Sequence, residues 1–311
     1  MDKRLNRILV LGLIGTAVLA LIFFAGAIAY MLGQGQSAGL SMGKKCIAVI
    51  HLDGEIVSDD IQPGLFGEGQ PGSETLAAMI RKEGGKEDVA AILLDINSPG
   101  GGSAATHDIY YALKNVTKPK VAYIKEIGAS GGYYSAVATD YILSDPDALV
   151  GSIGARMEVE DYTGLMGKVG VNITEIKSGS HKDIGSPFKQ MGPEEQQILQ
   201  SIVDDSFQEF RDVVMAERGD RLNSQMLGQI FDARIMNGRQ GLKAGLIDGL
   251  GTKQDAIDMA GKLAGLEPDE YEVCDVDESG SASFLNLKGI ASLGPAVAAA
   301  TRSSTTGVYF K

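Results

Sequence analysis

The fold is decided by two stretches of sequence, residues 89–102 (VAAILLDINSPGGG) and residues 121–134 (VAYIKEIGASGGYY). Each begins with a short run rich in Val, Ile and Ala, continues into a glycine-rich turn, and ends where helical spacing starts. Short apolar runs of this kind are typical of strands that are buried on both faces, as in a parallel sheet. Both stretches therefore predict a buried strand that leads through a tight turn into a helix.

The same alternation of apolar runs and helical spacing extends outward along the chain. Because strands that alternate with helices are characteristic of parallel sheets, the sequence predicts an α/β fold with a largely parallel sheet and flanking helices. The predicted strands are Cys46–Leu52, Val89–Ile96, Val121–Ile127, Tyr141–Leu143 and Val171–Ile176. The predicted helices are Leu76–Lys82, His107–Asn115, Tyr133–Thr139, Pro193–Arg218, Met226–Ile230 and Asp255–Ala264.

The composition excludes some classes of partner and cofactor. The chain has 311 residues, with 40 acidic against 28 basic side chains and a net charge of −12, so the phosphate backbone of a nucleic acid would be repelled. The two cysteines, Cys46 and Cys274, are too few for a disulfide scaffold or a four-cysteine zinc site and can form at most one bridge.

The first part of the chain predicts a membrane anchor. From Ile8 to Leu32 there is no charged side chain, and a helix of that length covers the roughly 30 Å hydrocarbon layer of a bilayer. A cleaved signal peptide is the alternative, because residues 27–29 have the small-x-small form of a cleavage site, but the run exceeds the usual apolar region of about 7–15 residues. Basic side chains that precede the run predict a cytoplasmic N-terminus; they are Lys3, Arg4 and Arg7.

The predicted layout places the chemistry outside the cytoplasm, in a single-pass protein of the cell membrane. Acidic residues crowd positions 267–278, which predicts a solvated terminus, and the small polar residues beyond them predict a flexible tail. The predicted parts are a cytoplasmic terminus at 1–7, an anchor at 8–32, a flexible tether at 33–45, an extracytoplasmic domain at 46–278 and the tail at 279–311.

Two glycine-rich turns are candidates for catalytic loops. Residues 128–132 (GASGG) have the G-x-S-x-G form of a nucleophile elbow, which exposes the hydroxyl of Ser130 and directs the N–H of Gly131 at a developing oxyanion. Residues 97–102 (NSPGGG) supply backbone N–H groups of the same kind at the start of a helix. Structural turns would use similar residues, but two such loops on one sheet favour a functional reading.

A serine nucleophile needs a base, and the sequence offers two candidates in residues 177–183 (KSGSHKD). His181 would give a Ser-His-Asp hydrolase of the α/β-hydrolase type, although its spacing from Ser130 is unusual for that fold. Lys182 would have to be neutral, which requires its pKa to fall about three units at a cost near 4 kcal/mol. Asp183 would oppose that fall if it paired with Lys182.

Three of these motifs together resemble the signal peptide peptidase A family, in its short bacterial form. The motifs are SPGG at 98–101, ASGGYY at 129–134 and SGSHKD at 178–183, and the resemblance covers about residues 46–265. It implies a serine protease of the Clp and crotonase-like fold, preceded here by one transmembrane helix, that needs no cofactor or metal. Its expected substrates are remnant signal peptides and similar apolar peptides.

The resemblance also implies a role for individual residues. Ser130 corresponds to the nucleophile and Lys182 to the general base of a Ser/Lys dyad. Gly101 and Gly131 correspond to the oxyanion donors, with Gly100 as the alternative if the loop register differs by one. Ser152 is a candidate to position the lysine amine, or else an ordinary turn residue.

The family's protomers form rings or domes, so the resemblance implies a homo-oligomer whose dyad can be completed between subunits. A non-catalytic, membrane-associated scaffold of the same fold is the alternative to an enzyme.

Overall fold

The computed structural model of the chain describes residues 44–62, 69–276 and 309–310. The predicted cytoplasmic terminus, the anchor at 8–32 and nearly all of the tether lie outside these residues, as does the predicted tail apart from Tyr309–Phe310. Within the described part of the chain, no helix is both long and apolar enough to cross a bilayer. The membrane anchor therefore stays a prediction.

The described chain alternates strands and helices, as the sequence predicts. The strands are β1 (Lys45–Ile56), β2 (Val89–Gly102), β3 (Lys120–Ala129), β4 (Tyr141–Ser144), β5 (Leu149–Gly151), β6 (Ile235–Asn237), β7 (Gly249–Leu250), β8 (Tyr271–Asp275) and β9 (Tyr309–Phe310). The helices are α1 (Ser73–Gly85), α2 (Ser103–Lys114), α3 (Gly131–Ala136), α4 (Thr163–Val169), α5 (Pro193–Arg218), α6 (Leu227–Ile230), α7 (Gly238–Ala244) and α8 (Lys253–Leu263).

The sheet is largely parallel, which confirms the predicted α/β fold class. Its order is β6-β5-β3-β2-β1-β8, with β4 beside β3 and β7, and β9 beside β2. The described pairings are parallel except for β5 with β6 and β2 with β9. Because β2 and β3 run in the same direction, the glycine-rich residues that end β2 and the turn that follows β3 lie at the same end of the sheet.

Helices cover both faces of the sheet. On one face, Ile50 and Leu94 belong to a large apolar cluster that also contains buried side chains of α1, α2 and α3. On the other face, Val49 and Leu93 pack in a cluster that includes Ala256 and Ala260 of α8. A strand that is covered on both faces has no side chains exposed to water, so β2 and β3 begin as continuous apolar runs.

The acidic stretch near residue 270 differs from its prediction as a solvated terminus. Residues Tyr271–Asp275 form β8, which pairs in parallel with β1 at the edge of the sheet. Cys274 on this strand forms a disulfide with Cys46 on β1, with the two Cα atoms 5.8 Å apart. An edge strand has one side open to water, so it tolerates the charged side chains that concealed it in the sequence.

The strand predicted at Val171–Ile176 is wrong. These residues follow α4 without regular secondary structure, and Ile176 is 99% exposed. An apolar run predicts that its side chains are buried, but it does not identify the surface that buries them. Here no part of the described chain covers these side chains.

Candidate active site

Ser130 lies at a sharp turn between β3 and α3, as the elbow motif predicts. Its backbone has φ 53° and ψ −120°, a conformation that L-residues avoid and that costs of order 1–3 kcal/mol. The turn is held by two backbone hydrogen bonds of 2.8 Å, from the N–H of Ser130 to the carbonyl of Gly151 and from the N–H of Tyr134 to the carbonyl of Ser130. The hydroxyl is buried and has no hydrogen-bond partner among the described residues.

The glycines after Ser130 allow the two loops to touch. A Cβ atom added at Gly131 would lie 2.6 Å from Oγ1 of Thr106, and one added at Gly132 would lie 2.6 Å from the carbonyl oxygen of Ser98. Real Cβ atoms do not approach other atoms so closely, so any larger residue would force the loops apart. The close approach of Gly131 to the Thr106 side chain, and of Gly132 to the backbone of Ser98, explains why glycine occupies both positions.

The loop that ends β2 brings Gly101 next to Gly131. The backbone nitrogen of Gly101 lies 3.3 Å from the position that a Cβ at Gly131 would take. Gly100 has φ +100°, and its N–H donates a 3.1 Å hydrogen bond to Oγ of Ser98 within the buried loop. The N–H of Gly100 is therefore engaged inside the protein, and of the two glycines that the resemblance offers, the geometry favours Gly101 as an oxyanion donor.

The same loop carries an extended segment on its edge. The two-residue strand β9 pairs antiparallel with β2, placing Phe310 opposite Gly101 and Tyr309 opposite Gly102. The backbone of this loop can thus hold an extended peptide, which is a common mode of peptide recognition at sheet edges.

Ser152 lies directly beside the elbow. Gly151 is the register partner of Ala129, and the next residue, Ser152, has φ 52° and is 9% exposed. Its N–H donates to the carbonyl of Arg234, 3.0 Å away. The structure therefore places two serines with positive φ directly after the ends of the adjacent strands β3 and β5.

Lys182 lies in a different environment, which we call the lysine segment (residues 156–191). In this fully described stretch no residue is buried, and Lys182 is exposed. Because Oγ of Ser130 lacks a hydrogen-bond partner in the described chain, Nζ of Lys182 is not within hydrogen-bonding distance of it. The structure of the single chain does not assemble the predicted dyad.

Asp183 does not pair with Lys182. Its Oδ1 atom lies 2.5 Å from Nζ of Lys177 and 2.8 Å from Nζ of Lys189. The hydrogen bond from Lys177, followed by that from Lys189, holds the pKa of Asp183 well below its usual range, so the carboxylate stays ionised. No described carboxylate lies within ion-pairing distance of Lys182. In the described chain Asp183 therefore does not stabilise the charged form of Lys182.

The histidines do not form the alternative triad. Nε2 of His181 lies 3.6 Å from a carboxylate oxygen of Glu194, and its Nδ1 is buried without a partner among the described residues. His181 is therefore not hydrogen-bonded to Ser130 or to the aspartates that the triad would require. His51 contacts Asp95, and His107 contacts Glu209.

Two side chains at this site are absent from the sequence prediction. Ser98 is fully buried and accepts the N–H of Gly100, and Thr106 is fully buried and donates to the carbonyl of Gly102 over 2.9 Å. Both belong to the glycine loop or to the first turn after it. The SPGG motif contains Ser98, but its role becomes visible only when the path of the backbone is known.

Known proteins are similar to this chain in sequence. The profile of Peptidase family S49 matches residues 112–267. The "Putative protease MJ0651" of Methanocaldococcus jannaschii is 32% identical over 278 residues, which is 88% of this chain and 88% of that protein. The "Putative signal peptide peptidase SppA" of Enterococcus faecium is 30% identical over 217 residues, covering 69% of this chain and 62% of that protein.

Among solved structures, the 1510-N membrane-bound stomatin-specific protease aligns with 76% of this chain and 100% of its own, at 14% identity and a TM-score of 0.45. The family assignment rests on the sequence matches instead, since the profile spans both the nucleophile elbow and the lysine segment. The chain belongs to peptidase family S49 and is a serine peptidase.

Proposed function

We propose that the protein is a membrane-anchored endopeptidase that uses a Ser130/Lys182 dyad to hydrolyse remnant signal peptides and similar apolar peptides. The observation that carries the proposal is the state of Ser130, whose buried hydroxyl has no partner in the described chain and lies at a strained turn beside Gly101 and Gly131. Strain and unsatisfied polar groups of this kind concentrate at catalytic positions, because a stable fold without function would remove them.

The reaction follows from the chemistry of these groups. Neutral Lys182 accepts the hydroxyl proton of Ser130 as Oγ forms a bond to the substrate carbonyl, and the N–H groups of Gly101 and Gly131 stabilise the resulting oxyanion. The C–N bond then breaks, and the lysine returns the proton to the leaving amine. Water hydrolyses the acyl-enzyme by the same route, which restores Ser130.

The lysine must be neutral for this reaction, which requires that no carboxylate pairs with it and that it is shielded from water. Asp183 is occupied by Lys177 and Lys189, so it does not hold Lys182 in its charged form. Transfer of the amine to an apolar site would also favour the neutral form, since desolvation disfavours the charged ammonium. Lys182 is exposed in the single chain, so this burial requires another surface.

A second copy of the chain is the surface that we propose. Apolar side chains of the lysine segment face solvent, among them Leu165 at 58%, Val169 at 61% and Ile176 at 99% exposure. Exposed apolar patches of this kind mark interfaces, and oligomers of soluble domains are most often built from identical chains. Docking the segment on a neighbour would bury these side chains and carry Lys182 to the neighbour's Ser130.

The substrate would bind as an extended strand. The pairing of β9 with Gly101 and Gly102 supports this mode, because it supplies backbone hydrogen bonds that do not depend on the substrate's sequence. Apolar peptides with small side chains fit the expectation from the family resemblance. The anchor at 8–32 would hold the site near a membrane, and the Cys46–Cys274 disulfide supports an oxidising compartment.

The dyad is tested by comparing Ser130→Ala, Lys182→Ala and His181→Ala in the assembled full-length protein with a fluorogenic apolar peptide. We expect near-total loss of activity in the first two variants and retained activity in the third. A serine-directed phosphonate should label the wild type and His181→Ala but not Ser130→Ala. Loss of activity in His181→Ala, with activity retained in Lys182→Ala, would contradict the proposal.

A further inference from the structure

Ser98 forms a small closed turn at the end of β2. Its Oγ accepts the N–H of Gly100, two residues further on, over 3.1 Å, and the bond is buried. Side chains of serine commonly bond to the backbone in this local pattern and fix the turn that contains them. The intervening residue, Pro99, has a φ fixed by its ring and no N–H of its own. The turn is therefore held at two consecutive residues.

This turn determines where the next N–H group points. The peptide between Gly100 and Gly101 follows directly, and Gly100 has φ +100°, which only glycine adopts without strain. With the N–H of Gly100 directed at Ser98, the N–H of Gly101 is the following one along the loop. Without the hydroxyl, the N–H of Gly100 would be buried without an acceptor, and the peptide would be free to rotate towards another one.

Ser98 also contacts the elbow. Its register partner on β3 is Gly128, after an irregularity in the ladder between Ile96 and Ser98. A Cβ added at Gly132 would lie 2.6 Å from the carbonyl oxygen of Ser98 and 3.3 Å from its Cβ. A single fully buried residue thus touches both loops that carry the predicted oxyanion donors.

We infer that Ser98 is a positioning residue for the oxyanion hole, which selects the N–H of Gly101 as a donor by engaging the N–H of Gly100. The inference rests on the proposed function of Ser130 and the two loops. Ser98 does not touch the reacting atoms and acts through the backbone of the glycine loop. Its loss should therefore weaken the stabilisation of the tetrahedral intermediate more than the binding of substrate.

The test compares Ser98→Ala and Ser98→Cys with the control Ser144→Ala in the assembled full-length protein. Ser144 is also fully buried, and its Oγ donates to a backbone carbonyl, that of Asp145, at the end of β4. We expect Ser98→Ala to lower kcat about tenfold to a hundredfold with KM changed less than about twofold, below the loss seen when a whole donor is removed. Ser98→Cys, whose sulfur is a weak acceptor, should fall between the wild type and Ser98→Ala.

A pair of inhibitors separates positioning from general stability. A peptide aldehyde forms a tetrahedral adduct with the serine and places its oxygen in the oxyanion hole, whereas the matching peptide alcohol binds without forming one. Ser98→Ala should weaken binding of the aldehyde in proportion to kcat and leave binding of the alcohol unchanged, and Ser144→Ala should change neither. Equal weakening of both inhibitors, or wild-type kcat in Ser98→Ala, would overturn the inference.

The outcome also distinguishes this inference from the proposed function. If Ser130→Ala is inactive while Ser98→Ala has full activity, the positioning role alone is wrong. If Ser130→Ala retains activity, the proposed function itself is wrong. Thermal unfolding of each variant establishes that it is folded at the assay temperature, and Ser98→Cys decides the question if Ser98→Ala does not fold.

Discussion

The two halves of the predicted dyad lie in opposite environments. Ser130 is fully buried at a turn fixed by hydrogen bonds, by the close packing of Gly131 and Gly132, and by the buried Ser98. Lys182 lies in the lysine segment, where no residue of the described stretch is buried and apolar side chains face solvent. The proposed nucleophile and the predicted oxyanion donors are thus held in place within one chain, while the proposed base lies on the surface.

If the proposed dyad is correct, this difference means that assembly with a second copy, and not the fold of one chain, would complete the site. A preorganised oxyanion hole lowers the barrier because its dipoles need no rearrangement during the reaction. A base on an exposed segment contributes only when the segment is held in place and desolvated. A single copy of the chain should therefore be inactive even when its serine is correctly positioned.

Mixing two inactive variants would give the largest effect. Ser130→Ala keeps Lys182, and Lys182→Ala keeps Ser130, so hetero-oligomers contain some sites with both groups if the dyad forms between copies. With random assembly in equal amounts, about a quarter of the sites should be complete in a large ring and about half in a dimer once homo-oligomers are removed, and activity should recover to about that fraction of wild type. Two differently tagged copies, co-expressed and purified through both tags, would provide the sample for a peptide assay.

The control for mixing is the double variant Ser130→Ala/Lys182→Ala combined with each single variant. Neither combination can form a complete dyad between copies, so both should stay inactive. Hetero-oligomers of the two single variants that are as inactive as their parents would place the base within the same chain or at another residue. That result would contradict the conclusion that a second copy of the chain completes the site.

The internal ties of the lysine segment can be tested separately. Asp183 joins Lys177 and Lys189, and Lys189 also pairs with Glu195 at the start of α5. Asp183→Asn should loosen the segment, speed its cleavage by an added protease several-fold and lower kcat about tenfold, while the unfolding temperature of the sheet changes little. Cleavage sites identified by mass spectrometry within 156–191 would locate the effect.

The pKa of Asp183 determines how the ion pairs of Asp183 with Lys177 and Lys189 respond to low pH. Lys177 and Lys189 lower that pKa. The stabilisation by the two ion pairs is therefore fully present above the ordinary pKa range of aspartate and is lost as the pH falls through the lowered pKa. The slow cleavage of wild type should therefore persist to acidic pH. Asp147→Asn, which removes an exposed partner of Arg239 outside the segment, should behave as wild type. Equal cleavage of both variants would show that Asp183 does not restrain the segment.

The sequence predicts the elements that local patterns specify better than the elements that depend on distant contacts. Helix α5 has the bounds predicted for Pro193–Arg218, because proline and two glutamates mark its first turn and an apolar face runs along it. The turn at Ser130 also agrees with its motif, because so sharp a turn requires small residues on both sides of the serine. Local chemistry is sufficient in both cases.

The errors arise where structure depends on distant parts of the chain. Val171–Ile176 has the composition of a strand but no neighbouring strand in the described sheet, and β8 has the composition of a solvated terminus but a free edge of β1 to pair with. The contact of Ser98 with Gly100 depends on the path of the loop, which a motif does not state. The distance between Ser130 and Lys182 is of the same kind, because it depends on where a whole segment is placed.

Removing the Cys46–Cys274 disulfide should destabilise the sheet without changing the proposed active site. Cys46 lies near the start of β1 and pairs in register with Val89 at the start of β2, whereas the glycine loop lies at the other end of β2. Reduction, or the double variant Cys46→Ser/Cys274→Ser, should lower the free energy of unfolding by about 2–5 kcal/mol and leave kcat at 25 °C unchanged. Denaturant unfolding with and without reductant measures the change. A reductant effect on the double variant itself, or a lower kcat, would show that the bond acts elsewhere.

The smallest expected effect concerns His51 on β1, which lies 3.4 Å from Asp95 on β2 and 3.4 Å from Asp275 on β8. The hydrogen bond that His51 donates to the Asp95 carboxylate raises the pKa of His51 above its ordinary 6.5, with Asp275 acting in the same direction, while burial and the charge of Lys253 on α8 oppose the rise. Since the folded pKa is raised, the stabilisation is fully present below pH 6.5 and is lost as the pH rises through the folded value. The difference in unfolding free energy between wild type and His51→Gln should therefore shrink from about pH 5.5 to about pH 8.5, with cleavage of the lysine segment unaffected. A difference that stays constant over this range would mean that His51 stabilises the sheet by packing and not by charge.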